Sequence, residues 1–201
     1  DLVGVKYLIA KKEDKKLLEN NNFTKVFDSG GKLAVFENLS VIPRVFLASH
    51  YEGPPQVDPV NKTDYEIQKE RRELIVQKLL SPDFDFRNSI ILEEPASISP
   101  QFGEGSVDIV DYKSHEVTIK TSSKEPKLLF ISDNYYPGWK ADVDGDEVKI
   151  LRANYTFRAV ALTKGEHTVR FYYENRLFYM GVFISAFSLV LLLVILRLKR
   201  V

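Results

Sequence analysis

Alternation of apolar and polar positions is cleanest in the second half of the chain, where Val117 and Ile119, then Val169, Phe171 and Tyr173, put every second side chain on one face. This period predicts strands at 106–112, 115–121, 127–132, 139–143, 147–151, 155–162 and 167–173. Their spacing of about ten residues, with turn signals between, predicts an antiparallel two-sheet sandwich, Ig-like or jelly-roll-like, over residues 96–176. Asp144-Gly145 is the strongest hairpin turn.

The first 95 residues read differently. A strand at 5–10 and a short charged helix at 11–20, stopped by the asparagines at 20–22, precede strands at 23–27, 33–36 and 44–48. Ser29-Gly30-Gly31 links the first two of those three strands, and Pro54, Pro55 and Pro59 make 51–62 a linker. The best helix begins at Thr63, whose spacing to Glu66 predicts a capping box, and carries Ile67, Leu74, Ile75 and Leu79 as a narrow apolar stripe. Ser81-Pro82 ends it, and 89–92 is a further strand. The charged run Lys69 to Glu73 reads as a solvated helix side. Residues 1–95 are thus expected as a small α/β unit, and the whole as an α+β fold.

At 177–196 the pattern becomes continuous. Twenty residues pass without a charge, and fourteen of them are Leu, Ile, Val or Phe. At about 1.5 Å per residue they match a hydrocarbon core of ~30 Å, which predicts one transmembrane helix. Arg197, Lys199 and Arg200 follow at once, so the positive-inside rule puts the tail 197–201 in the cytoplasm and residues 1–176 outside, at the cell membrane. Tyr172, Tyr173, Phe178 and Tyr179 suit an interfacial aromatic belt. Asn22, Asn38, Asn61 and Asn154 each begin an Asn-x-Ser/Thr sequon. The start at Asp1-Leu2-Val3 reads as a fragment of something longer.

Composition narrows the function classes. Lys plus Arg balance Asp plus Glu at 28 each, so no basic field argues for nucleic acid. With no cysteine, disulfide staples and thiolate zinc sites are excluded. His50, His115 and His167 lack any paired ligand spacing, and Asp142-Val143-Asp144-Gly145-Asp146 lacks the later carboxylate of a calcium loop, so no metal or cofactor is expected. Glu93-Glu94 and Asp108 with Asp111 are weak candidates for a pair of glycosidase acids.

Three stretches carry a resemblance. The opening Leu2-Val3-Gly4-Val5-Lys6-Tyr7-Leu8-Ile9, then Val35-Phe36-Glu37-Asn38 with Pro43-Arg44-Val45-Phe46, and above all Asp133-Asn134-Tyr135-Tyr136-Pro137-Gly138-Trp139-Lys140-Ala141 followed by Val143-Asp144-Gly145, Ala153-Asn154 to Ala159-Val160 and Gly165-Glu166-His167-Thr168-Val169, are similar to the C-terminal portion of the YfhO family. Those are large polytopic membrane proteins related to the GT-C class of glycosyltransferases that use lipid-linked sugars. The resemblance implies an accessory extracytoplasmic region of such an enzyme, acting on cell-envelope polymers as scaffold or acceptor-positioning element over the outer face of a missing N-terminal transmembrane bundle. It carries over no catalytic residue, because the enzymes' acidic residues lie upstream.

The loop 133–139 is the expected carbohydrate contact, with Tyr135, Tyr136 and Trp139 as stacking faces and Asp133, Asn134 and Arg158 as hydrogen-bonding groups. The same residues fit a second role, in which Pro137-Gly138 is a turn and the only tryptophan plugs the core. The partners expected are the bilayer, the transmembrane bundle, and an envelope polysaccharide or lipid-linked sugar. The competing class is a membrane-anchored carbohydrate-binding or adhesion module; an anchored hydrolase comes third.

Overall fold

The structure, a computed structural model, describes residues 4–198, and the side chains of Arg176, Leu177, Leu193, Val194 and Leu196 lie outside that description. The chain opens with β1 (Tyr7–Lys11), α1 (Lys15–Leu18), β2 (Phe23–Asp28) and β3 (Leu33–Asn38), the strands forming an antiparallel sheet in the order β1-β3-β2. The expected helix over 11–20 contracts to the four residues of α1: Lys11 pairs with Leu33 in the sheet, Asp14 caps the helix by accepting from the Lys16 N–H at 3.1 Å, and α1 buries no side chain. With no buried side chain to anchor it, so short a helix has little stability beyond its cap and its edge contact with β2.

Next come β4 (Val45–Ala48), β5 (His50–Glu52), α2 (Asp64–Leu79) and β6 (Ser89–Ile91). The capping box forms as expected: Thr63 Oγ1 accepts from the Glu66 N–H, and the Glu66 carboxylate accepts from the Thr63 N–H at 2.8 Å. Of the expected stripe only Ile75 and Leu79 are buried, against Phe84 and Ile91. Burial of such a side chain contributes roughly 1.5–3 kcal/mol, so α2 is held by far fewer contacts than the sandwich strands. The expected linker loses its first two residues, because Tyr51 and Glu52 pair in parallel with Ile90 and Ile91.

The rest is β7 (Gly105–Tyr112), β8 (Glu116–Ser123), β9 (Lys127–Ile131), β10 (Trp139–Val143), β11 (Asp146–Val148), β12 (Leu151–Ala153), β13 (Phe157–Leu162), β14 (Gly165–Tyr173) and α3 (Arg176–Leu198). Two antiparallel sheets result, five-stranded β11-β10-β14-β8-β7 and four-stranded β12-β13-β9-β4. Val117, Ile119, Ala141, Val169 and Phe171 of the first meet Val45, Leu129, Ile131, Val160 and Leu162 of the second in one core. The four-stranded sheet is buried on its other face as well, where Phe46, Leu128, Phe130 and Phe157 pack with Ile90 and Leu92. This explains why all five residues of β9 are buried and show no alternation.

Two expectations are corrected here. The candidate strand 147–151 is two strands in different sheets: after β11 the chain crosses between the sheets, with Ile150 buried in the core. The division at residue 95 does not follow the sheets either, because β4 pairs along its length with β9, from Val45 opposite Ile131 to Ala48 opposite Leu128. The first part of the chain therefore supplies an edge strand and, through Ile90 and Leu92, a cover for the sandwich. Asp144 (φ 55°) and Gly145 (φ 96°) make the expected hairpin turn.

Two of the sequon asparagines are internal. Asn38 is 2% exposed and donates through Nδ2 to the Val5 carbonyl at 3.0 Å; Asn154 is 5% exposed and its Oδ1 accepts from the Ile91 N–H at 2.7 Å. Both side chains tie strands together, which removes them as glycan acceptors.

Among the described residues no helix is long and apolar enough to cross a membrane. The expected span 177–196 includes four side chains outside the described residues, and the expected tail includes residues 199–201, also outside them. The described apolar side chains of α3, Phe183 and Phe187 among them, are exposed.

Candidate functional site

Four strand ends converge at one end of the sandwich: the start of β4, the end of β7, the end of β9 and the start of β13. Asp133, two residues past β9, sits at their meeting point. Its Oδ1 accepts from Arg44 Nε at 3.0 Å and Nη2 at 2.6 Å, and its Oδ2 accepts from Arg158 Nη2 at 3.0 Å and from the Tyr112 hydroxyl at 3.2 Å. Arg44 Nη2 also bonds the Tyr112 hydroxyl, and the Arg44 guanidinium lies 4.2 Å from the centre of that ring. Arg158 further donates from Nε to the Asp133 carbonyl at 3.3 Å.

Arg158 is 1% exposed, and its guanidinium lies 4.0 Å from the centre of the Trp139 ring and 5.3 Å from that of Phe171. Its Nη1 is buried without a hydrogen-bond partner. Burial pushes the Arg158 pKa down while Asp133 pushes it up, and burial followed by the Asp133 charge raises that of the Tyr112 hydroxyl. The cluster brings two guanidiniums to one carboxylate.

Trp139 is half-buried, clasped between Arg158 and Tyr173, whose ring it meets edge-on at 5.7 Å. Gly138 (φ +100°) precedes it, and a Cβ there would stand 2.8 Å from Tyr173 Cε2, so glycine is required for both its conformation and its space. Tyr173 closes β14 opposite Trp139, the Glu174 N–H donates to the Gly138 carbonyl at 2.8 Å, and Asn175 Oδ1 accepts from the Phe178 N–H at 3.0 Å to cap α3. The motif loop is thus joined directly to the start of the C-terminal helix.

Of the six expected carbohydrate contacts, Asp133, Arg158 and Trp139 come together, with the Asp133 carboxylate on Arg158 and the Trp139 ring between Arg158 and Tyr173. Tyr135 packs against the core with Arg152 5.1 Å from its ring centre, its N–H donating to the Thr156 carbonyl at 2.5 Å. Tyr136 is 62% exposed and Asn134 is exposed, neither facing the cluster. Arg44 and Tyr112 complete the cluster and are not among those six. The only sequence signal was the placement of Arg44 in the Pro43-Arg44-Val45-Phe46 stretch; its partners lie 68 and 89 positions away, and only the β4–β9 pairing brings them near.

Two carboxylates of the 142–146 stretch, Asp142 and Asp144, have partners on β14. Asp142 accepts from Arg170 Nε at 2.9 Å, and Asp144 accepts from the Thr168 N–H at 2.8 Å and lies 2.7 Å from His167 Nδ1. No group of three or more potential metal ligands occurs among the described residues.

A family model described as "Bacterial membrane protein YfhO" matches residues 97–185. No curated protein and no solved structure matches the chain. The matched segment runs from before β7 into α3 and contains Tyr112, Asp133, Trp139 and Arg158. The segment whose signature loop knits the sandwich to its C-terminal helix is thus similar to the YfhO family of bacterial membrane proteins, as the motif around Trp139 implies.

Proposed function

We propose that this chain is an extracytoplasmic accessory region of a GT-C-type glycosyltransferase that modifies cell-envelope polymers from lipid-linked sugar donors, holding acceptor and membrane machinery in register without chemistry of its own. The observation that carries this reading is the joint at Gly138, Trp139, Tyr173 and Glu174, which couples the motif loop to the first turn of α3. A loop whose Asp133 is held by Arg44 and Arg158, and whose Trp139 is clasped between Arg158 and Tyr173, suits a rigid mount better than an open sugar site. In this reading α3 spans the bilayer, supported by the uncharged run of twenty residues and the basic tail, and the rest lies outside.

A second surface fits the same role. In the N-terminal sheet Ile9 and Phe27 both pair with Val35, so all three share one face with Tyr7 and Leu33; Tyr7, Ile9, Phe27 and Leu33 are 53%, 69%, 60% and 49% exposed. An open apolar sheet face of this kind suits docking on the outer side of the transmembrane bundle.

The placement is tested by an antibody against residues 53–62 applied to spheroplasts carrying the native protein. Staining of intact spheroplasts is expected. Staining only after permeabilisation overturns the extracytoplasmic placement, and release of the 201-residue chain from liposomes by alkaline carbonate overturns the span.

A further inference from the structure

We propose that the groove between α2 and the β12–β13 turn binds an uncharged stretch of glycan, and that Tyr65 and Tyr155 are its stacking residues. The groove encloses about 680 Å³, within the usual range for small-ligand sites. It rests on the proposed function only for the envelope location of such a glycan. The turn lies at the same end of the sandwich as the start of α3, since the Tyr135 N–H bonds the Thr156 carbonyl.

The lining chemistry selects the ligand class. Tyr65 and Tyr155, 76% and 42% exposed, supply ring faces from two elements, and Val76 adds apolar wall. The C–H faces of a pyranose suit such rings, and its hydroxyls suit the side-chain amides of Gln68 and Gln77, each of which both donates and accepts. The charges cancel in number: Asp64 and Glu73 against Lys69 and Arg72, with Lys69 and Glu73 4.0 Å apart. A phosphate-bearing polymer requires a surplus of positive charge that this groove lacks.

The backbone singles out Tyr155. Asn154 (φ 45°) and Tyr155 (φ 77°) are successive residues in the left-handed region. Asparagine adopts it readily and is locked there by its two bonds to Ile91, through Oδ1 at 2.7 Å and through its N–H at 2.8 Å. A bulky aromatic is strained there, and glycine would satisfy the same turn without strain. The ring at 155 is therefore costly to the fold, and its position on the groove gives it a role glycine lacks.

The test uses the full 201-residue chain in a detergent without a sugar headgroup. It is titrated with neutral tetrasaccharides of glucose, galactose and N-acetylglucosamine, and with polyglycerol phosphate as the anionic probe. Wild type should bind at least one neutral tetrasaccharide, and Tyr155→Gly should weaken that binding at least about tenfold while keeping or raising the melting temperature. Tyr65→Ala, on an exposed helix face, should weaken it similarly with an unchanged melting temperature, so the test stands even if Tyr155→Gly misfolds. No neutral binding, binding of polyglycerol phosphate alone, or undiminished binding by the folded variants overturns the site. Binding in solution does not depend on membrane placement, so failure here leaves the topology reading standing, and failure there leaves the groove.

Discussion

At the scale of single residues the Asp133 cluster is an electrostatic tie. Arg158 is buried and has one carboxylate partner, so removing that partner leaves a guanidinium without compensation in the interior. Breaking a buried pair in this way costs about 3–5 kcal/mol. Asp133→Ala should therefore lower stability by that order in chemical denaturation, whereas Asp133→Leu with Arg158→Met should lose much less; equal losses would mean that the charges contribute nothing beyond packing. Asp144 gives a pH signature. Its bond with His167 and the Thr168 N–H hold its carboxyl below its ordinary value of 3.8. The folded state therefore binds this proton less readily than the unfolded chain, so the contribution is present above about pH 4 and is lost as pH falls through the lowered value. Asp144→Asn should be less stable than wild type near neutrality, and the gap in melting temperature should close on acidification. A gap independent of pH would show that the charge is not the source.

At the scale of elements, alternation identified β8 and β14, because each has one face in the core and one toward solvent. It could not describe β9, buried on both sides, nor reveal that β4 is its edge partner. Pairing between residues 45–48 and 128–131 is a long-range event with no local sequence signal. Its consequence is testable by excision. Residues 96–176 alone lack β4, β6 and the cover of Phe46, Ile90 and Leu92, so β9 would offer a hydrophobic open edge. That fragment should aggregate or fail to melt cooperatively, while residues 41–176, which restore β4, β5, α2 and β6 and omit the N-terminal sheet with α1 and α3, should show a cooperative melt by circular dichroism. A stable 96–176 fragment would restore the boundary at residue 95.

At the scale of the whole molecule the sandwich, the motif loop and the first turn of α3 are joined by hydrogen bonds and ring contacts, and in the proposed function they form one mount, with the proposed glycan groove and the open apolar sheet as separate surfaces. What the sequence by itself determined was local or strictly periodic: the capping box of α2, the Asp-Gly turn, the strands with a clean two-residue period, and the uncharged run at the C-terminal end. It also carried the resemblance to the YfhO model over residues 97–185, because the motif around Trp139 is contiguous. Tertiary structure alone decided which residues of that motif are occupied. Whether a tyrosine, tryptophan or arginine meets a sugar or a neighbouring strand depends on what stands opposite it, and here Arg44, Tyr112 and Tyr173 arrive from distant strands to fill those positions. The same physics placed Tyr155 in the open, since a turn pinned by a buried asparagine projects its next side chain outward regardless of its type.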